Sequence, residues 1–363
     1  MREGPKVLVT GIGGIGGTIA GWLNQHDPSV LDDVVSFTRN VGVVNAVEKH
    51  GFRLRGVGEP VDARGTITST LPEDLAPRDF IILATQPPDV EDAARRLVPF
   101  LAPDGAFVVL QNGLCEQRIA AIVGPERVIG GVVGFGASHP EPGLFERTSQ
   151  GGLTIARFDG QQNPQLRVLA NLLEAVGPVT ITPNLPGVRW SKLAINCAIS
   201  TVGTIGGDTL GALMRYRFVR RLALEIMTET VRVARAEGVK LEKISGTLDL
   251  AWLALTPEEQ LSTGSAGLFA KHTVLLAVGT RYRRMRSSML SAIERGRPPA
   301  VDFLNGEIVR LGLKHGIPTP VNTAAAERVH AIARGELKSS HDAARQLAID
   351  MGIRMSLTGR DED

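Results

Sequence analysis

Apolar and polar positions in the first half of the chain alternate between two periods. Short unbroken apolar runs rich in β-branched residues read as buried strands. Longer stretches with apolar residues every three or four positions read as helices packed on them. Val7, Leu8, Val9 and Thr10 form the first run, and a helix carrying Ile15, Ile19 and Leu23 starts near Gly14. Further strands are predicted at 33–38, 52–55, 65–69, 79–84, 106–110, 127–134, 152–158 and 179–182. Helices between them are predicted at 41–50, 89–101, 116–123 and 164–176. Residues 138–143, Ser-His-Pro-Glu-Pro-Gly, read as a turn between two strands. This pattern predicts an α/β domain around a largely parallel sheet.

The alternation stops at Pro183, Asn184, Leu185, Pro186 and Gly187, which read as a linker. Beyond Arg189 the pattern is almost wholly helical, with helices predicted at 190–201, 209–238, 241–255, 268–295, 301–315 and 323–333. Gly316, Ile317, Pro318, Thr319 and Pro320 mark a helix stop and restart. A frayed end is expected at 360–363. Two domains follow, 1–185 and 186–363, α/β then all-helical.

Composition narrows the classes. The chain has 363 residues, 43% of them hydrophobic, enough for two cores. Forty Lys+Arg against 38 Asp+Glu leave a net charge of +2, and aromatics are 4%. That balance gives no support for a nucleic-acid partner, which needs a basic surface with stacking rings. Cys115 and Cys197 lie far apart without histidines at metal spacing, so two reduced thiols, no metal and a cytoplasmic location are expected. No signal peptide is expected, and no apolar run approaches membrane-spanning length. The seven histidines form no triad; His139 and His272 read as structural or surface residues.

The first strand runs into G-x-G-x-x-G: Gly11, Ile12, Gly13, Gly14, Ile15, Gly16. Gly11 permits a tight turn, Gly13 lets a pyrophosphate approach the backbone, and Gly16 lets the helix lie close on the strand. The phosphates would meet a helix N-terminus, where N–H groups and the dipole favour negative charge. Where a ribose 2′-hydroxyl usually meets an acid after the second strand, the chain has Thr38 and Arg39. A guanidinium there suits a 2′-phosphate, so NADP(H) is expected over NAD(H); the plain alternative is a solvated surface Arg. Gln86 and Asn112 follow strands whose carboxyl ends border the ligand crevice, which makes both cofactor candidates.

Lys192, Asn196 and Ser200 are spaced i, i+4, i+8 and share one face of a helix. A buried Lys has a lowered pKa and can protonate a developing alkoxide. Spacing alone favours a plainer reading, an exposed Lys and a capping Asn.

The chain resembles the ketopantoate reductase (2-dehydropantoate 2-reductase) family over most of its length. The resemblance rests on the glycine motif, Arg39, Gln111-Asn112-Gly113, Gly130-Gly131-Val132, Pro142-Gly143 and the segment Trp190 to Asn196. Ser287-Ser288-Met289-Leu290, Asp302-Phe303-Leu304-Asn305-Gly306 and Gly316 to Asn322 follow in register. It implies an N-terminal Rossmann domain and a C-terminal helical domain; a small-molecule substrate is expected, with the helical domain serving the substrate and any homodimer contact. It also implies that Asn112 contacts the nicotinamide side of NADP(H), that Lys192 is the general acid toward a 2-keto acid, and that Asn196 and Ser288 hold the substrate.

Departures from the family pattern fall on the substrate side. Gln86 stands where the family has a Lys, Ser200 replaces a second Asn, and Ala300 replaces a Glu. The segment 246–272, with Trp252, Leu253, Leu255 and Phe269, looks longer than the family needs and would shape a pocket or a dimer contact. The expectation is a reductase whose substrate is not ketopantoate itself. The alternatives are a non-catalytic NADP(H)-binding sensor, or a ketopantoate reductase whose site is rearranged around Ser200 or Ser287.

Overall fold

In a computed structural model, which describes residues 4–26, 30–244 and 248–353, the chain divides into two compact units, Met1–Leu185 and Pro186–Asp363. The first unit holds twelve described strands: β1 Lys6–Thr10, β2 Asp33–Phe37, β3 Phe52–Gly56, β4 Val61–Ala63, β5 Thr66–Thr68, β6 Arg78–Leu83, β7 Leu101–Val109, β8 Val128–Val133, β9 Ala137–Glu141, β10 Leu144–Arg147, β11 Leu153–Arg157 and β12 Val179–Ile181. Eight of them form one sheet in the order β12-β11-β8-β7-β6-β1-β2-β5. Every neighbouring pair is parallel except β8 and β11. The chain leaves β1 toward β2 and returns to β6 on its other side, so β1 lies at the topological switch point. Its residues Val7, Leu8 and Val9 are fully buried, as an apolar run with both faces covered must be.

The sequence pattern does not anticipate a second sheet, β4-β3-β10-β9. The stretch read as a turn at 138–143 is strand β9 for most of its length, and only Pro142 and Gly143 turn into β10. Its prolines disguise it, but β9 is an edge strand, where a missing N–H is tolerated. The small sheet packs on helix Gly14–Leu23, whose glycines make room for it. A Cβ on Gly17 would lie 2.1 Å from the Phe145 ring, and one on Gly21 2.7 Å from Leu54. The helix expected at 89–101 stops at Leu97, and β7 begins at Leu101. Pro99, which cannot continue an α-helix, sits in the 3-10 turn between them.

The second unit is helical around Arg217–Ala236, which is buried on almost every side and is therefore its central element. The expected linker is shorter than predicted, because helix Leu185–Gly206 already begins there and takes Pro186 into its first turn, where proline is tolerated. Four long helical readings break. The 209–238 stretch divides into Leu210–Leu213 and Arg217–Ala236, and 268–295 into Ala266–Arg281 and Ser288–Glu294. Residues Ala300–Phe303 form a 3-10 turn before helix Asn305–His315. Among the described residues of 241–255, only Leu250–Leu253 is α-helical. Helix Pro320–Ala333 starts earlier than expected, and His341–Asp350 is an additional helix, capped by Ser340. Residues 246 and 247 of the long segment, and the 354–363 tail, lie outside the described residues. Among the described residues no helix is long and apolar enough to cross a membrane.

Candidate active site

The carboxyl edge of the large sheet gathers the candidates of the first unit. Thr10 pairs with Phe37 and with Leu83, and Leu83 with Val109, so β1, β2, β6 and β7 end side by side. The segments that follow these ends carry Gly11, Arg39, Gln86 and Asn112 respectively.

Gly11 turns the chain at φ 84°, and a Cβ there would stand 2.4 Å from Thr85 N. A Cβ on Gly16 would lie 2.2 Å from Gly11 O, so close packing of helix on turn requires that glycine. Gly14 makes room for Ala137 O, 2.6 Å from its hypothetical Cβ. At Gly13 such a Cβ would meet nothing within 4 Å. Within the motif it is the glycine whose missing side chain faces open space rather than protein. Gly13 is the N-cap of helix Gly14–Leu23, with no side-chain cap and no acid in the first turn. The first-turn N–H groups have no partner within a helix, so this end fits a phosphate. Ile12 is buried at 4% exposure, and Ile15 packs against the core. Any part Ile12 takes in binding a ligand is through the backbone.

Arg39 lies exposed beyond β2 and, among the described residues, pairs only with an exposed Asp89, with Nη2 3.9 Å from Oδ1. Pairs of that kind contribute little, which leaves the guanidinium available to a ligand anion. Gln86 and Asn112 are also exposed. Behind them Gln111 donates from Nε2 to Thr85 Oγ1 at 3.2 Å and ties the ends of β6 and β7 together.

In the second unit, Lys192, Asn196 and Ser200 lie on helix Leu185–Gly206, all half-buried, while Leu193, Cys197 and Ala198 fill the core behind them. Burial, aided by nearby Arg189, pulls the Lys192 ammonium down to a pKa of about 7. The group can therefore give up and regain a proton near neutrality. Asn196 Nδ2 is buried without a hydrogen-bond partner among the described residues, a vacancy that a ligand oxygen would fill. By contrast, Cys197 is a buried thiol whose pKa burial drives upward, so it is inert.

Ser288 is exposed at the start of helix Ser288–Glu294. Its neighbour Ser287 is not available for the rearranged site considered above. The Ser287 hydroxyl caps that helix through Leu290 N, bonds Ser200 O at 2.8 Å and meets Thr204 Oγ1 at 2.8 Å. Ala300 opens a 3-10 turn and brings no polar side-chain atom.

Sequence reasoning missed the buried frame behind the Lys192 helix. Asn305, fully buried, accepts from Thr201 Oγ1 at 2.6 Å and donates to Cys197 O at 3.1 Å and Asn322 Oδ1 at 3.0 Å. Asn322 in turn donates to Glu229, whose carboxylate also accepts the backbone N–H groups of Val321 and Asn322. Burial pushes the Glu229 pKa up, against these hydrogen bonds. The signal was present in the motifs around Asn305 and Asn322, but nothing in their spacing joins them.

The 250–272 stretch is tied down by buried polar contacts. Arg221 pairs with Glu225 and donates to the Glu259 and Gln260 carbonyls, and Lys271 pairs with Glu259. Leu253 and Leu255 are core, whereas Trp252 and Phe269 are 47% and 70% exposed. His272 is buried, and its pKa falls to about 3, first through desolvation and then through Arg220 and other arginines, so it stays neutral. His139 lies in β9, not in a turn, stacked on Phe145. Among the described residues no group of three metal-binding side chains forms.

Sequence models described as Ketopantoate reductase PanE/ApbA and its C-terminal domain match residues 7–160 and 184–333. The 2-dehydropantoate 2-reductase of Pyrococcus horikoshii is 26% identical over 319 residues, covering 87% of this chain and 94% of that protein. The Caulobacter vibrioides enzyme of the same name is 25% identical over 337 residues, covering 90% and 99%. A PanE/ApbA family ketopantoate reductase from Ralstonia eutropha superposes with a TM-score of 0.75 at 26% identity, over 91% of this chain and 99% of that one. A D-mandelate dehydrogenase solved with NADH and anilino(oxo)acetate shares the fold, with a TM-score of 0.73 at 21% identity over 92% and 100%. Matched in both units by the family's own sequence models and along most of their length by its named reductases, the chain belongs to the ketopantoate reductase family, oxidoreductases that act on a keto/hydroxyl couple.

Proposed function

We propose that the protein is an NADPH-dependent reductase of a 2-keto acid, with Lys192 as the general acid. The observation that carries this reading is the pair on one helical face: a Lys with a pKa near 7 and an Asn Nδ2 with no hydrogen-bond partner among the described residues. When bound, the nicotinamide supplies a hydride to the carbonyl carbon. Lys192 Nζ gives its proton to the carbonyl oxygen as charge develops there, and solvent restores it. Asn196 donates from Nδ2 to the substrate, and Ser200 and Ser288 add hydroxyls. The N–H groups behind Gly11, Gly13 and Gly16 hold the pyrophosphate, Arg39 pairs with the 2′-phosphate, and Gln86 and Asn112 flank the cofactor. In this reading the first unit serves NADP(H), the second serves the substrate and any self-association, and the enzyme works in the cytoplasm.

The substrate is a 2-keto acid other than ketopantoate. Ala300 has no acceptor for a substrate hydroxyl, and a buried hydroxyl without a partner costs about 1–3 kcal/mol. Loss of NADPH absorbance with a panel of 2-keto acids tests the reading, ketopantoate included and Ala300→Glu run in parallel. Turnover of several acids with poor ketopantoate efficiency, improved by Ala300→Glu, is expected. No turnover of any 2-keto acid overturns the reading and restores a non-catalytic NADP(H)-binding role. Efficient ketopantoate turnover by the unmutated protein restores the plain family activity.

A further inference from the structure

The stretch joining helix Ala266–Arg281 to helix Ser288–Glu294 is densely basic. From 281 to 297 the chain carries Arg281, Arg283, Arg284, Arg286, Arg295 and Arg297 against a single acid, Glu294. Residues 281–286 are all exposed. Arg286 pairs with Glu294 at 2.8 Å, whereas Arg283 and Arg284 make no ion pair among the described residues. The backbone beneath them is held in place. Leu210 N donates to Met285 O at 2.8 Å, and a Cβ on Gly211 would lie 2.7 Å from Arg283 Cα, so the loop sits directly on helix Leu210–Leu213. At its end Ser287 bonds the Ser200 carbonyl and Thr204, and a Cβ on Gly203 would lie 3.1 Å from Ser287 Cβ. The end of the loop, at Ser287, therefore stands beside Ser200, the far end of the row that begins at Lys192, with Arg284 and Arg283 three and four residues before it.

Eight residues of helix separate Lys192 from Ser200, a rise of about 12 Å. In a 2-keto acid the carboxylate carbon is bonded to the carbonyl carbon, so it stays within bonding range of the atom that Lys192 protonates. The Ser200 end of the row, where the basic loop ends, lies about 12 Å further along the helix. Arg283 and Arg284, adjacent on a fixed loop and in no ion pair among the described residues, make a site for an anion. We infer that the Arg283–Arg284 loop receives a second anionic group, a carboxylate or phosphate-type group at the far end of the substrate. This rests on the 2-keto acid reading above and names the substrate class for the same site, a long-chain 2-keto acid ending in an anion.

The test compares initial rates of NADPH oxidation for acids of matched length: 2-ketooctanoate, the same chain ending in a carboxylate, and the same chain ending in a phosphonate. Each is run with the unmutated protein, with Arg283→Ala/Arg284→Ala and with Arg283→Lys/Arg284→Lys. The unmutated protein should prefer one or both dianions by about tenfold or more in kcat/KM, as charge-assisted contacts predict. The alanine variant should bring that ratio to about one, and the lysine variant should keep most of it. The preference should shrink as salt rises, because the loop is exposed. Whichever end group is preferred identifies the anion. Equal efficiency for all three acids, or a preference that the alanine variant leaves intact, overturns the inference while the reductase reading stands. Failure of every acid, 2-ketooctanoate included, fails that reading and this inference with it.

Discussion

The cofactor edge of the first unit and the substrate row of the second are built in opposite ways. At the cofactor edge the backbone matters most, and side chains are removed. A Cβ on Gly11 or Gly16 would come within 2.4 or 2.2 Å of neighbouring backbone, and one on Gly13 would meet nothing within 4 Å. On the Lys192 helix the side chains matter most. Burial shifts the Lys192 pKa and leaves Asn196 Nδ2 without a hydrogen-bond partner among the described residues, and the Asn305 frame ties down the helix behind them. A phosphate cradle can be made from peptide N–H groups at a helix end. A proton donor tuned to neutrality needs a charge partly withdrawn from water.

Five experiments sharpen or break that contrast. Lys192→Ala should lower turnover by roughly 10²–10⁴-fold, the range for a positioned proton donor, with NADPH affinity unchanged by titration. The same role fixes the pH dependence. Burial lowers the Lys192 pKa to about 7, so the ammonium that donates is present below about 7 and lost above it. The rate of reduction should be flat on the acid side and fall about tenfold per pH unit on the alkaline side. Normal turnover in the variant removes Lys192 from the chemistry.

Next, Asn305→Ala should destabilise the second unit through the groups it strands. Each buried partner left unsatisfied costs about 1–3 kcal/mol, and Thr201, Cys197 O and Asn322 are all bonded to it. Denaturant unfolding should show a lower midpoint at an unchanged slope. An unchanged midpoint would mean that the frame is dispensable.

Arg39→Ala should weaken NADPH binding by about 1.5–3 kcal/mol and leave NADH nearly unchanged, because only the 2′-phosphate is lost. Equal affinity of the unmutated protein for both cofactors contradicts that assignment. A glycine pair gives the smallest effect and the most direct comparison. Gly17→Ala places a Cβ 2.1 Å from the Phe145 ring and should cost about 1–3 kcal/mol of stability. Gly13→Ala has room in the free protein and should leave stability within about 0.5 kcal/mol while weakening cofactor binding. A melting shift as large as that of Gly17→Ala would show that Gly13 is a packing glycine.

Much of this protein is legible from the chain alone. The fully buried runs at Val7–Val9 and Phe80–Leu83 announce parallel strands because a strand covered on both faces must be continuously apolar. The glycine motif announces its turn because no other residue fits a φ of 84° against the backbone of Thr85. Lys192, Asn196 and Ser200 announce a shared face because a helix repeats every 3.6 residues. These are local rules, and they hold wherever the residues sit.

Tertiary structure decided the rest. Strand β9 forms in spite of its proline because β10 offers it an edge, and the helix read over 268–295 is interrupted where Ser287 caps a new start at Ser288. Ser287 and Ser288 look equivalent in sequence, yet packing against Ser200 and Thr204 engages one and leaves the other exposed. Asn305, Asn322 and Glu229 are strung over nearly a hundred residues, and only folding brings them within hydrogen-bond range behind the Lys192 helix. The lowered pKa of Lys192 belongs to the same class: the sequence supplies the amine, but desolvation exists only once the chain has closed around it.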